Sequence, residues 1–163
     1  MIKKLLLFTL ALTTLSCSSE SEDVQERSDI DPIIGTWSLE KLTEYPTNAP
    51  EIVSYPNDCE ARTTVTFKPD GTYNTITYDK IDGECVIYED EDILSSSWER
   101  VNEGKYRFSE EYDNNGEVHF SSVTPKAVSF PDNNTMTFTY EGTNRPSSDP
   151  IHVEYYVNTF TRR

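Results

Sequence analysis

Residues 64 to 79 read Thr64-Val65-Thr66-Phe67-Lys68-Pro69-Asp70-Gly71-Thr72-Tyr73-Asn74-Thr75-Ile76-Thr77-Tyr78-Asp79. Two runs rich in β-branched and aromatic residues flank a Pro-Asp-Gly turn, where the glycine takes a positive φ at no steric cost. Such a pattern specifies an antiparallel hairpin, and it continues in both directions along the chain. Asp82-Gly83 and Asn115-Gly116 supply two further tight turns. Candidate strands fall at 34–43, 61–68, 71–79, 84–89, 95–102, 104–111, 116–123, 126–130, 134–141 and 151–162, at the roughly 8 to 12 residue spacing of all-β sandwiches and barrels. Period-2 alternation in Val65/Phe67, Val128/Phe130, Met136/Phe138/Tyr140 and Ile151/Val153/Tyr155/Val157 gives each sheet one buried face. The expected fold is all-β, an antiparallel up-and-down meander of roughly 8–10 strands that closes into a barrel and so removes its edges, with a partly open sandwich as the alternative. Residues 44–58, with Pro46, Pro50 and Pro56, read as a long loop or short lid.

The chain has 163 residues, enough for one domain with terminal extensions. Its 29 acidic and 14 basic side chains give a net charge of -15, the wrong sign for neutralising phosphates, so nucleic acid is excluded as a natural partner. The 7 Phe, 10 Tyr and 2 Trp are too many for a disordered acidic chain and require a core.

Lys3 and Lys4 precede an apolar run from Leu5 to Leu12, the n- and h-regions of a signal peptide over residues 1–16. The run is short of the roughly 20 residues that span a bilayer. Thr14-Leu15-Ser16-Cys17 resembles the lipobox of bacterial lipoproteins, which implies cleavage before Cys17 and lipidation (diacylglycerol and palmitate) of its thiol. An ordinary signal peptide with Cys17 as a free thiol is the alternative. From residue 18 to 31 the chain holds Glu20, Glu22, Asp23, Glu26, Asp29, Asp31 and four serines, so residues 17–31 read as a lipidated cysteine followed by a disordered acidic tether. This Ser/Asp/Glu cluster resembles the surface-export signal of Bacteroidetes lipoproteins. It implies an outer-membrane location, lipid-anchored and facing the cell surface, with the periplasmic face as the other option.

Ile34-Gly35-Thr36-Trp37-Ser38-Leu39 opens the first strand, and it is followed by Phe67-Lys68-Pro69-Asp70-Gly71-Thr72-Tyr73, Trp98, Gly104-Lys105-Tyr106-Arg107-Phe108 and the closing strand Tyr155 to Arg162. This order of segments resembles the lipocalin-like lipoproteins of Bacteroidetes and covers residues 32–163. The resemblance implies a lipocalin-like β-barrel whose base is closed by Gly35 and Trp37, with Arg162 stacked on the tryptophan. It also implies a small apolar or aromatic ligand.

Cys59 and Cys85 remain as an even pair in an exported, oxidising setting, so a disulfide is expected. In a meander their strands flank a third and lie about 10 Å apart, too far for a bridge. The bond therefore requires Cys59 to sit in a loop that folds across the end of the intervening strand.

His119 and His152 are the only imidazoles, and neither accompanies a nucleophile elbow, a metalloprotease pair or a phosphate loop. Both read as solvent-facing strand residues, and no catalytic residue, metal site or cofactor is expected. The run Glu89-Asp90-Glu91-Asp92 and the turn Asp79, Asp82, Glu84 read as solvated loops, since neither has the spacing of a calcium loop. Trp98, Tyr73, Tyr106, Tyr140 and Tyr155 are the candidate ligand-binding side chains, each with a large face and a polar tip; the competing reading is that they fill a narrow barrel. The expected function is a membrane-anchored binding lipoprotein with no enzymatic activity. The alternative is a structural or interaction lipoprotein with a filled barrel that meets a surface protein.

Overall fold

A computed structural model describes residues 30–88, 92–142 and 152–163. The signal peptide, Cys17, the tether before residue 30 and the acidic residues 89–91 lie outside the described residues. The strands are β1 (Gly35–Pro46), β2 (Ile52–Ser54), β3 (Thr64–Phe67), β4 (Tyr73–Ile81), β5 (Glu84–Tyr88), β6 (Ile93–Asn102), β7 (Lys105–Asn114), β8 (Glu117–Val123), β9 (Ala127–Asp132), β10 (Thr135–Glu141) and β11 (Val153–Arg162). A 3-10 turn, Glu60–Arg62, precedes β3. Every strand pairing is antiparallel.

All ten expected segments contain a strand. The turns have the expected chemistry: Asp82 and Gly83 take φ of 53° and 89°, Asn115 and Gly116 take 57° and 87°, the doubly left-handed backbone that matches the twist of a two-residue hairpin. Residues 44–58 differ from the expected loop. β1 runs on to Pro46, and β2 turns back to pair with it at Leu42, Thr43 and Glu44. Three residues are too few to carry a periodic signal, which is why the prolines dominate the reading there.

Among the described residues the strands fall into two hydrogen-bonded sheets, and no continuous ladder closes a barrel. The larger runs β5-β4-β3-β1-β11-β10-β9 with β2 beside β1, and the smaller runs β6-β7-β8. No ladder joins β5 to β6 or β8 to β9 among the described residues. Two backbone contacts pin the sheets together. Trp98 N–H donates to Gly71 O at 2.7 Å beside a bridge between Thr72 and Ser97, and Val128 N–H donates to Gly104 O at 2.8 Å. Glycine matters at both contacts: each has positive φ, and a Cβ at either would already touch the facing carbonyl at 3.4 Å.

Between the sheets lies one core of Ile33, Trp37, Phe67, Tyr106, Phe108, Val128, Met136 and Phe138. Its aromatic rings meet 5 to 6.5 Å apart, Phe67 tilted against Phe108 at 5.7 Å and Phe108 stacked on Phe138 at 5.2 Å, with the partly buried Phe160 tilted against Phe138 at 5.1 Å. Asp31, placed in the tether by sequence, belongs to this unit. Its Oδ1 accepts from Tyr106 OH at 2.7 Å and from Ile33 N–H at 3.1 Å.

Cys59 and Cys85 form a disulfide with Cα atoms 5.4 Å apart. Cys59 immediately precedes the 3-10 turn, and Asn57 Oδ1 accepts its N–H at 2.8 Å. That loop crosses the end of β4 and reaches β5, which is the route the strand spacing requires.

Candidate functional site

At the base, the Trp37 indole is fully buried and donates to Ile33 O at 2.7 Å. Trp37 and Arg162 are paired across β1 and β11, which brings the guanidinium carbon to 4.2 Å from the indole ring centre. Arg162 also donates to Ile34 O at 2.8 Å, Pro32 O at 2.9 Å and Asn133 O at 2.8 Å. Gly35 has φ of 137°, and a Cβ there would stand 2.3 Å from Arg162 Nη1. The expected base residues therefore meet as one cluster. Arg163 anchors a second point by donating to Ser38 Oγ and to Ala61 O.

Above this base the sheets diverge around an apolar cavity of about 370 Å³. Strand alternation sends every second residue of seven strands into it. Trp37 and Leu39 come from β1, Val65 and Phe67 from β3, Tyr73 and Thr75 from β4. Phe108 and Glu110 come from β7, Ser121 and Val123 from β8, Phe138 and Tyr140 from β10, Asn158 and Phe160 from β11. A second cavity of about 510 Å³ adjoins it, sharing Leu39 and Thr63 and reaching beneath Tyr55, Pro56 and Tyr88.

The polar groups of the first cavity are few. Tyr73 OH donates to Glu110 Oε1 at 2.9 Å across the gap between the sheets. Burial, then the bond to this carboxylate, pushes the Tyr73 phenol well above its ordinary value near 10. Burial and the neighbouring Tyr156 push Tyr140 up to about 12. Tyr140 and Tyr156 stack with ring centres 5.0 Å apart.

Of the five expected ligand-binding side chains, only Tyr73 and Tyr140 line the cavity. Trp98 is committed to the seam, where its Nε1–H lies 3.1 Å from both Lys68 O and Thr72 O. Tyr106 is buried in the base, its hydroxyl held by Asp31. Tyr155 lies on the opposite face of β11 from Tyr156, stacked on Tyr45 at 4.4 Å. Val153, Tyr155 and Val157 of the expected alternation thus mark the face turned away from the cavity, and Ile151 lies outside the described residues. β11 carries aromatic residues on both faces, so its period does not say which face is inside.

His119 is not simply solvent-facing. It lies on the cavity side of β8, in step with Ser121 and Val123, and stacks on Tyr112 at 5.6 Å. His152 is exposed just before β11, and its carbonyl accepts from Thr47 N–H at 3.0 Å.

Comparison with curated proteins gives no match. A family model described as a lipocalin-like domain matches residues 33–124, more than half of the chain. The match runs from the base segment before β1 to the end of β8 and includes Gly35, Trp37 and the Tyr73–Glu110 pair. β9 to β11, which complete the cavity wall and supply Arg162, lie beyond it. The chain belongs to the lipocalin-like domain family.

Proposed function

We propose that this protein is a membrane-anchored, extracytoplasmic lipoprotein whose lipocalin-like domain binds a small apolar or aromatic molecule between its two sheets. The observation that carries the reading is the cavity of about 370 Å³, walled by Leu39, Val65, Phe108, Phe138 and Phe160, within the size range of small-molecule sites. Family membership supports a binding role over an enzymatic one. The lipid at Cys17 and the acidic tether place the domain, on this reading, at the outer membrane facing the cell surface. The ligand would enter where the sheets part and rest against the Phe67–Phe108–Phe138 wall, with Tyr73 and Tyr140 as the polar tips that orient it.

The test is a titration with the neutral fluorophore N-phenyl-1-naphthylamine against the full chain and a Thr75→Trp variant. Thr75 is an exposed strand residue that lines the cavity, so a larger side chain there fills space without touching the core. Saturable one-to-one binding that weakens at least about tenfold in the variant supports the reading. No saturation, or equal binding by both proteins, refutes it.

A further inference from the structure

Neither cavity has a cationic side chain among the described residues that line it. Glu110 is the charged residue of the first, and Glu60 and Asp79 belong to the second. Glu110 follows Tyr106 and Phe108 by strand alternation, so β7 aims its carboxylate at the interior between the sheets. Tyr73 donates to Oε1, and since no side-chain oxygen among the described residues is both buried and unpartnered, Oε2 of the half-buried Glu110 is open to the space of the cavity. The surrounding walls are Phe67, Phe108, Phe138 and Val65. A carboxylate held against such walls attracts a cation or a hydrogen-bond donor more strongly than it does in water, and it makes the entry of a second anion costly.

We infer that Glu110 selects the head group of the ligand, so that the cavity takes an apolar skeleton bearing a protonated amine and rejects the same skeleton bearing a carboxylate. The inference rests on the binding role proposed above. The amine would donate to Oε2 while Tyr73 keeps Oε1 in place, and the apolar body would lie against the aromatic wall. The bond from Tyr73 fixes the carboxylate before the ligand arrives, so little ordering remains to be done on binding.

Three probes of one skeleton separate head group from body: 4-phenylbutylamine, 4-phenylbutan-1-ol and 4-phenylbutanoate. They are measured by calorimetry against the full chain at about 0.15 M salt, where long-range attraction to an acidic protein is largely screened. The expected order is amine, then alcohol, then carboxylate, with roughly tenfold or more between the ends. Glu110→Gln keeps an oxygen for Tyr73 and should bring the amine to the level of the alcohol. Glu111→Gln removes the same charge from the other face of β7, where Glu111 accepts from Ser95 Oγ at 3.0 Å, and should leave the order intact. Equal or tighter binding of the carboxylate overturns the head-group inference while the cavity reading stands. So does an order that Glu110→Gln does not change, or that Glu111→Gln changes equally. Failure of all three probes to bind removes the cavity reading and this inference with it.

Discussion

Arg162 closes the base through a stack on Trp37 and three bonds to backbone carbonyls of Ile34, Pro32 and Asn133. Truncation to alanine removes the cation–π contact and strands those carbonyls, so Arg162→Ala should cost about 2 to 3 kcal/mol in urea unfolding. Gly35→Ala, which meets Arg162 at a backbone angle disfavoured for any side chain, should cost about 2 kcal/mol. Changes below about 0.5 kcal/mol in both would remove the base cluster as a source of stability. Tyr73, Tyr106 and Tyr140 give a pH signature. Burial raises all three phenols, Tyr140 to about 12, so the folded protein holds protons that the unfolded chain releases near 10. Their contribution to stability is complete below pH 10 and is lost as pH rises from there through the raised values. Absorbance at 295 nm should show these phenols ionising only as the protein unfolds in alkali; a single reversible step near 10 for every tyrosine would contradict it. Gly35, Trp37 and Arg162 are legible only through the resemblance to lipocalin-like domains, which the segments Ile34–Leu39 and Tyr155–Arg162 carry. Glu110 is not, since beside Glu111 it looks like a surface acid. Its spacing from Tyr106 and Phe108 is the signal that places it inside.

Strand positions are legible because turn residues such as Asp82-Gly83 and Asn115-Gly116 mark them locally. What lies across from what is not, because it depends on contacts far apart in sequence. The seam made by Gly71 with Trp98 and Gly104 with Val128 has no local signature, and among the described residues these contacts, not a continuous ladder, join the two sheets of the antiparallel fold. Among the elements, the segment from β2 to β3 is held by β1 on one side and by the Cys59–Cys85 bond on the other. The bond closes a loop over a sequence separation of 26 residues, worth about 3.5 kcal/mol by chain entropy. Replacing both cysteines by serine should lower stability by about 3 kcal/mol. It should also speed amide exchange at Cys59 to Thr63 and in β5, while β1 and β11 stay protected. Unchanged stability together with unchanged exchange would mean that the loop is held without the bond.

At the scale of the whole molecule, the net charge of -15 divides along the chain. On the proposed reading, cleavage removes Lys3 and Lys4 with the signal and leaves -17, and the tether contributes five acids (Glu20, Glu22, Asp23, Glu26 and Asp29) against Arg27, Asp31 belonging to the folded unit. On that reading the acidity is partly a spacing device, since an anionic membrane surface would repel it and the tether would hold the domain away. Anchoring through Cys17 requires that Cys17→Ser move the protein from the membrane fraction to the soluble fraction and abolish palmitate incorporation. Retention in the membrane with the serine variant would contradict the anchor. Binding between the two sheets is the central claim, and methyl NMR of the leucine- and valine-labelled protein addresses it directly during titration with N-phenyl-1-naphthylamine. The expected result is saturable shifts at Leu39, Val65 and Val123, which line the cavity, with Val53 and Val118 unmoved. Shifts confined to Val118 on the outer face of β8, or none at saturating probe, would contradict it.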